Sequence, residues 1–424
     1  MGLSPVSMEK LPETLLLEIL SHLDDSADVA RCRIASKGFN NVYPYIRSIN
    51  LQRTSRIYLN LGSRVSNSSQ VSTHFEDIFL NLVSNLKVVE TINISNDSLI
   101  EDLPHGFICK MTGDLYLTDD DFVKKWLPTC SSQLKSLSIS DSPVSSFPRS
   151  HLLPLISVYC HNLVELKVKR ALLSVKNLNP MPMLTSLTLE AVHVCGEDIN
   201  VISNCFPNLQ ALNLKYCEGD TYPATIDLLN LKTFGLTMYD APSSVNALSS
   251  ISLIAPNLIM LELDLSGFTA LHVKAPILSH LHLTVDLRDG IVHELHIGYS
   301  QYFLHKVFCV FPNVNSLCFK SNAWMALEAW YKSKPFDWET CDGMKGLKTF
   351  SAYLWLSEQS WTFLCVANLL DQSTDLSEVS LLIWRGVSPR VSKSFIVRCM
   401  SRWPRLKWRW GIWSDGMEDS WVSI

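Results

Sequence analysis

The residues best equipped for chemistry fall late in this 424-residue chain. His272, His280, His282, His293, His296 and His305 cluster there, and imidazoles so placed could coordinate a metal or make binding pH-sensitive. His280 and His282 flank Leu281, so in an extended segment both rings leave one face while the leucine leaves the other. No helical His-x-x-x-His pair or Cys-x-x-Cys accompanies them, which makes solvated surface histidines the simpler reading. Asp119-Asp120-Asp121 could attract a cation, but it stands where it would cap a following helix. Lys407-Trp408-Arg409-Trp410, with Arg402 and Arg405 nearby, has the make-up of an aromatic platform for a ligand, a peptide or single-stranded nucleic acid. Strand alternation instead turns Leu406, Trp408 and Trp410 inward and the bases outward, as expected of a cap that closes an open hydrophobic end.

Signatures of catalysis are absent. There is no phosphate-binding Gly-rich loop, Gly-x-Ser-x-Gly or His-Glu-x-x-His, so no catalytic residue, metal or cofactor is assigned. Hydrophobic residues make up 47% and charged residues 18%, a folded composition. The net charge of −5 offers no bulk field for nucleic acid or an anionic membrane. No apolar run reaches the length of a membrane span, and the polar stretch from Met1 to Lys10 is too short for a signal peptide. Twelve scattered cysteines then read as free thiols of an intracellular protein, in cytoplasm or nucleus.

The elements that must position these residues announce themselves by a recurring phrase. A leucine, two residues, an apolar residue, one residue and another apolar residue recur as Leu134-Lys-Ser-Leu137-Ser-Ile139, Leu163-Val-Glu-Leu166-Lys-Val168 and Leu184-Thr-Ser-Leu187-Thr-Leu189. Further copies end at Leu214, Leu236, Leu263, Leu283 and Phe319, and weaker ones at Ile94, Ala352 and Leu381; Leu115-Tyr-Leu117 is a partial copy. The period is about 20–29 residues up to residue 283 and longer afterwards, which implies insertions. Each Leu-x-Leu sends its two apolar side chains one way and the middle residue the other. Stacked in parallel, such phrases build one core that no single repeat could bury. Helical or irregular returns are expected between them, including 121–127 and 196–205. The middle residues Lys167, Thr188, Asn213, Glu262, His280 and His282 become the candidate target-binding positions.

Ahead of the repeats lies a different pattern. Leu16, Ile19, Leu20 and Leu23 form one helical stripe, with Leu11, Leu15 and Leu17 outside it. So much apolar surface means either a buried core helix or a second face awaiting a partner; some fifty residues bury little by themselves, which favours the partner. Pro12 suits a first helical position, Asp25 or Ser26 can cap a second helix, and Ser36 can cap a third that Pro44 ends.

These residues carry a resemblance. Leu11-Pro12-Glu13, Glu18-Ile19-Leu20-Ser21-His22-Leu23 and Ala35-Ser36-Lys37-Gly38-Phe39 look like an F-box, with Ala35 where that family usually has Val and Phe39 where it usually has Trp. The repeats, punctuated by Phe206-Pro207-Asn208, Ala255-Pro256-Asn257 and Phe311-Pro312-Asn313, resemble the leucine-rich repeats of plant F-box proteins. The resemblance implies an α/β fold: a three-helix F-box over 8–48, then a leucine-rich-repeat solenoid over 49–424 with a parallel sheet on its concave face and a Trp-rich cap from about 390. It implies a non-catalytic adaptor of a Skp1-cullin-F-box ubiquitin ligase, with an unknown target protein on the solenoid; the charge and the lack of an apolar span leave neither nucleic acid nor membrane as an expected partner. Leu11, Pro12, Leu15, Leu16, Ile19, Leu20, Leu23, Val29, Ala35 and Phe39 would meet the Skp1-like subunit. The competing reading is a leucine-rich scaffold or small-molecule sensor outside ubiquitination.

Overall fold

The computed structural model describes residues 11–23, 25–53, 75–96, 116–141, 149–194, 201–219, 224–237, 250–264, 270–284, 313–333, 346–414 and 419–422. His293, His296, His305, Leu115, the stretches 8–10, 196–200 and 311–312, and the Ser/Asn-rich stretch 63–72 lie outside them. The chain divides into two compact units, one of residues 1–209 and 215–221, the other of 210–214 and 222–424.

The first unit opens with helices α1 (Glu13–Ser21), α2 (Ser26–Ala35) and α3 (Lys37–Val42), followed by a 3-10 turn at Tyr43–Tyr45. Pro12 occupies the N-cap of α1 rather than its first turn, and its carbonyl accepts from the Leu15 and Leu16 amides. Asp25 caps α2, its carboxylate accepting from the Ala27 amide at 2.8 Å. Ser36 holds the N-cap position of α3 without a side-chain cap bond, and its hydroxyl is buried with no hydrogen-bond partner among the described residues. Helix α3 packs on both α1 and α2. Leu16, Leu20, Val29, Phe39 and Val42 fill the space between them, each at most 5% exposed.

The head is knitted to the first repeats. The Asn50 amide, on the first strand, donates to Ser26 Oγ at 2.9 Å, and the buried Tyr43 hydroxyl donates to the Leu82 carbonyl at 2.9 Å. Burial pushes the Tyr43 phenol up to about 12, against the opposing pull of the Arg33 guanidinium that lies over its ring. A cut at residue 48 would therefore uncover Ile49 and Leu51, which are buried in the same core.

The remaining elements of this unit are β1 (Ser48–Arg53), α4 (Phe75–Ser84), β2 (Thr91–Asn96), α5 (Asp120–Cys130), β3 (Ser136–Ser140), β4 (Arg149–Ser150), α6 (Leu152–Tyr159), β5 (Glu165–Leu173), β6 (Ser186–Val194), α7 (Val201–Cys205) and β8 (Glu218–Gly219). Its strands pair in parallel in the order β1-β2-β3-β5-β6, with β4 beside β5 and β8 beside β6. Register follows the leucine phrase. Ile49, Ile92, Leu137, Leu166 and Leu187 form one buried row, and Leu51, Ile94, Ile139, Val168 and Leu189 the next. Asp119 caps α5, accepting from the Asp121 and Phe122 amides, so the acidic triplet does what its placement suggested.

The second unit contains β7 (Ala211–Lys215), β9 (Ala224–Asp227), β10 (Thr233–Thr237), β11 (Ser250–Ile254), β12 (Met260–Asp264), β13 (Ala270–Lys274), β14 (His280–Thr284), β15 (Ser316–Phe319), α8 (Ser321–Ser333), β16 (Thr349–Leu354), α9 (Gln359–Gln372), β17 (Glu378–Trp384), α10 (Pro389–Arg402), β18 (Lys407–Trp413) and β19 (Ser420–Val422). Its main sheet runs β7-β10-β12-β14-β15-β16-β17-β18-β19, parallel from β10 to β18 and antiparallel at β19. Between β7 and β14 the described parts of the returns, 224–227, 250–254 and 270–274, are not the helical or irregular segments expected. They are strands, forming a second parallel sheet β13-β11-β9. The reason is local: Ile251 and Leu253 alternate with Ser250 and Ser252, a two-residue period that no helix can bury on one face. Longer spacings after residue 319 leave room for α8, α9 and α10 instead.

Candidate partner-binding surfaces

The head presents an apolar surface that its own core leaves uncovered. Ile34, at the end of α2, is 90% exposed; Leu15 and Ile19 on α1 are 44% and 38% exposed. Pro12 and Ala35 are exposed as well, and Leu11 and Leu23 are half-buried. The ten residues expected to meet a partner thus divide. Leu16, Leu20, Val29 and Phe39 are buried and shape the head from inside, because α3 folds back over that side of α1. Leu11, Pro12, Leu15, Ile19, Leu23 and Ala35 retain accessible surface. Ile34, which is not among those ten, has the highest exposure of the large apolar side chains described.

The second surface is the outward face of the strands. Ser138, Lys167 and Thr188 share one row of the first unit, and Lys169 pairs with Glu190 at 2.8 Å on the next. In the second unit Gly235, Glu262, His282, Cys318, Ser351, Ser380 and Arg409 occupy the corresponding row. Asn213 lies over Gly235, where an added Cβ would collide with the Asn213 amide oxygen. His280 stands one row away, exposed, its ring 2.8 Å from Ser279 Oγ.

One part of that row concentrates polar groups. Lys320 Nζ reaches Glu262 Oε1 at 2.9 Å, across the strand that carries His282. Burial, helped by the Lys320 charge, holds the His282 imidazole below its ordinary range, so at neutral pH it is an uncharged ring. Burial also pushes the Cys318 thiol up to about 12, which makes it a poor nucleophile. The Tyr353 hydroxyl donates to Asp419 at 2.7 Å; burial and that carboxylate together raise its pKa.

Beside these groups Trp355, Trp384 and Trp413 pack with ring centroids 4.5–5.1 Å apart, and Tyr353 meets Trp413 at 5.6 Å. The three tryptophans stand 29 residues apart, one per repeat, a spacing that could have revealed the cluster. In the Lys407–Trp410 stretch Trp408 and Trp410 are buried and stacked at 5.3 Å, and β19 pairs antiparallel with their strand. Among the described residues no group of three or more His, Cys, Asp or Glu is arranged to hold a metal, and no described helix is long and apolar enough to cross a membrane.

No protein-family profile matches the chain. An F-box/LRR-repeat protein of Arabidopsis thaliana is 32% identical to it over 459 aligned positions, which cover 98% of this chain and 100% of the relative. Likeness at that level along nearly the full length, on parallel leucine-rich strands preceded by three short helices, places the chain in the family of F-box/LRR-repeat proteins.

Proposed function

We propose that the chain is a substrate-recognition adaptor of a Skp1-cullin-F-box ubiquitin ligase. The helices up to residue 48 act as the F-box and dock a Skp1-like subunit, and through it a cullin. The repeats from residue 49 hold the target protein, and the stretch from about 390 caps them. The chain does no chemistry itself; it raises the effective concentration of target lysines near the charged conjugating enzyme. Work of this kind belongs to the cytoplasm or nucleus.

The observation that carries this reading is the exposure of Ile34, Leu15 and Ile19 on a module with its own filled core. Isolated exposed leucines are ordinary, but a nearly naked isoleucine with two further aliphatic side chains on one small module marks a docking face. Target recognition falls to outward residues, with Lys167 and Thr188 in one unit and Asn213, Glu262, His280 and His282 in the other. The Glu262–Lys320 pair and the neutral His282 ring give the second set a defined pattern of donors and acceptors.

The test is isothermal titration of the full chain with a recombinant Skp1-like subunit, beside the Leu11→Ala/Pro12→Ala variant. Saturable binding that the variant weakens supports the adaptor. Absence of binding by the unaltered chain overturns it and leaves a repeat scaffold with some other partner.

A further inference from the structure

Between residues 385 and 414 the chain carries eight Lys or Arg and no Asp or Glu, although its net charge is −5. Helix α10 lies at the centre of that stretch. It buries Phe395 and Cys399. The opposite side, by helical spacing, consists of Arg390, Lys393, Ser394, Val397 and Ser401, all exposed. Several of the eight cations are engaged: Arg402 with Asp371 at 2.7 Å, Lys407 with Glu378 at 3.2 Å, Arg398 over the Phe363 ring and Arg409 over Trp421. Arg390, Lys393 and Arg405 form no ion pair among the described residues. Between the first two and Ser401 stands Val397, 54% exposed.

We propose that this face of α10 binds an acidic polypeptide segment with an aliphatic anchor, the carboxylates against Arg390 and Lys393 and the anchor on Val397. Charge complementarity selects the partner's sign, since like-charged neighbours without counter-charges repel one another until an anionic partner arrives. Two features select a peptide over a nucleic acid. Tight phosphate binding draws on many cations along a track, whereas here there are few, on one helix face. Helix α10 itself offers no exposed aromatic ring for a base to stack on: its one aromatic, Phe395, is buried, as are the neighbouring Trp403 and Trp408. The surface lies on a return helix, so it is separate from the outward strand residues assigned to the target and does not rest on the adaptor reading.

The experiment titrates the full chain against a fluorescein-labelled ten-residue peptide of Asp and Glu around one Leu, at 50 and 300 mM salt. Arg390→Glu/Lys393→Glu should weaken binding at least tenfold, and so should the higher salt. Lys124→Glu/Lys125→Glu on α5 should leave it unchanged, and Val397→Ser should weaken it severalfold without altering charge. All five positions are exposed on helix surfaces, so circular dichroism should be the same for each variant. The proposal is overturned if the unaltered chain does not bind, if the Arg390/Lys393 variant binds equally well, or if single-stranded DNA of equal charge or phosphatidylserine vesicles bind more tightly than the peptide.

Discussion

Replacing Leu187 by Ala tests how the repeats are held together. Leu187 is fully buried on β6, in register with Leu166 on β5. Removing its isopropyl end forfeits about 0.8 kcal/mol per buried carbon group, and the cavity left behind adds to that. Leu→Ala changes at such sites cost about 2–5 kcal/mol in all, and a parallel stack of close-packed leucines has little freedom to collapse into the gap. The adjacent Thr188 points to the opposite face and is half-exposed, so Thr188→Ala should stay within about 0.5 kcal/mol. Urea unfolding of the two variants, followed by tryptophan fluorescence and circular dichroism, gives the comparison. Trp126 is the described tryptophan of the first unit and reports locally. Equal destabilisation by the two substitutions would refute the strand register, and with it every outward residue proposed for target binding.

Ser26→Ala should cost about 1–3 kcal/mol, because it leaves the Asn50 amide on β1 without its acceptor; faster amide exchange at Asn50 is the readout. Burial raises the thiols of Cys130, Cys160, Cys365 and Cys399 from about 9 to about 12. Groups raised on folding add stability that is complete below the unfolded value and fades as pH climbs through the folded one. The thermal midpoint should therefore hold up to about pH 9 and fall between about pH 9 and 12, and at pH 8 iodoacetamide should modify Cys32 before these four. Glu262→Gln should leave folding intact, since its partner Lys320 is partly solvated, yet weaken capture of targets identified by proximity labelling under proteasome inhibition.

The repeats were legible because alternation is a strict constraint. Leu137, Leu166 and Leu187 could occupy one row only if Ser138, Lys167 and Thr188 occupied the opposite one, and the structure keeps that register. The strand returns Ala224–Asp227, Ser250–Ile254 and Ala270–Lys274 were not read, since short alternating segments look like loops until a partner strand is known. The head shows a different limit. Its motif marks Leu16, Leu20, Val29 and Phe39 as apolar but does not say which apolar residues close the core and which stay out. Only the fold of α3 over α1 and α2 separates them from Leu15, Ile19 and Ile34. The Trp355, Trp384 and Trp413 cluster needed the repeat phase carried through the longer spacings, where the leucine phrase is weakest.

The most direct measurement is the affinity of the full chain for a Skp1-like subunit when Ile34 alone is changed to Glu. Ile34 is 90% exposed, so the fold should be untouched and the thermal midpoint unchanged. Burying an isoleucine in an interface is worth about 1.5–3 kcal/mol, so the dissociation constant should rise by about ten- to a hundredfold. An Ile34→Glu chain that folds normally and binds the subunit with unaltered affinity would contradict the claim that this face of the head is where the ligase is joined.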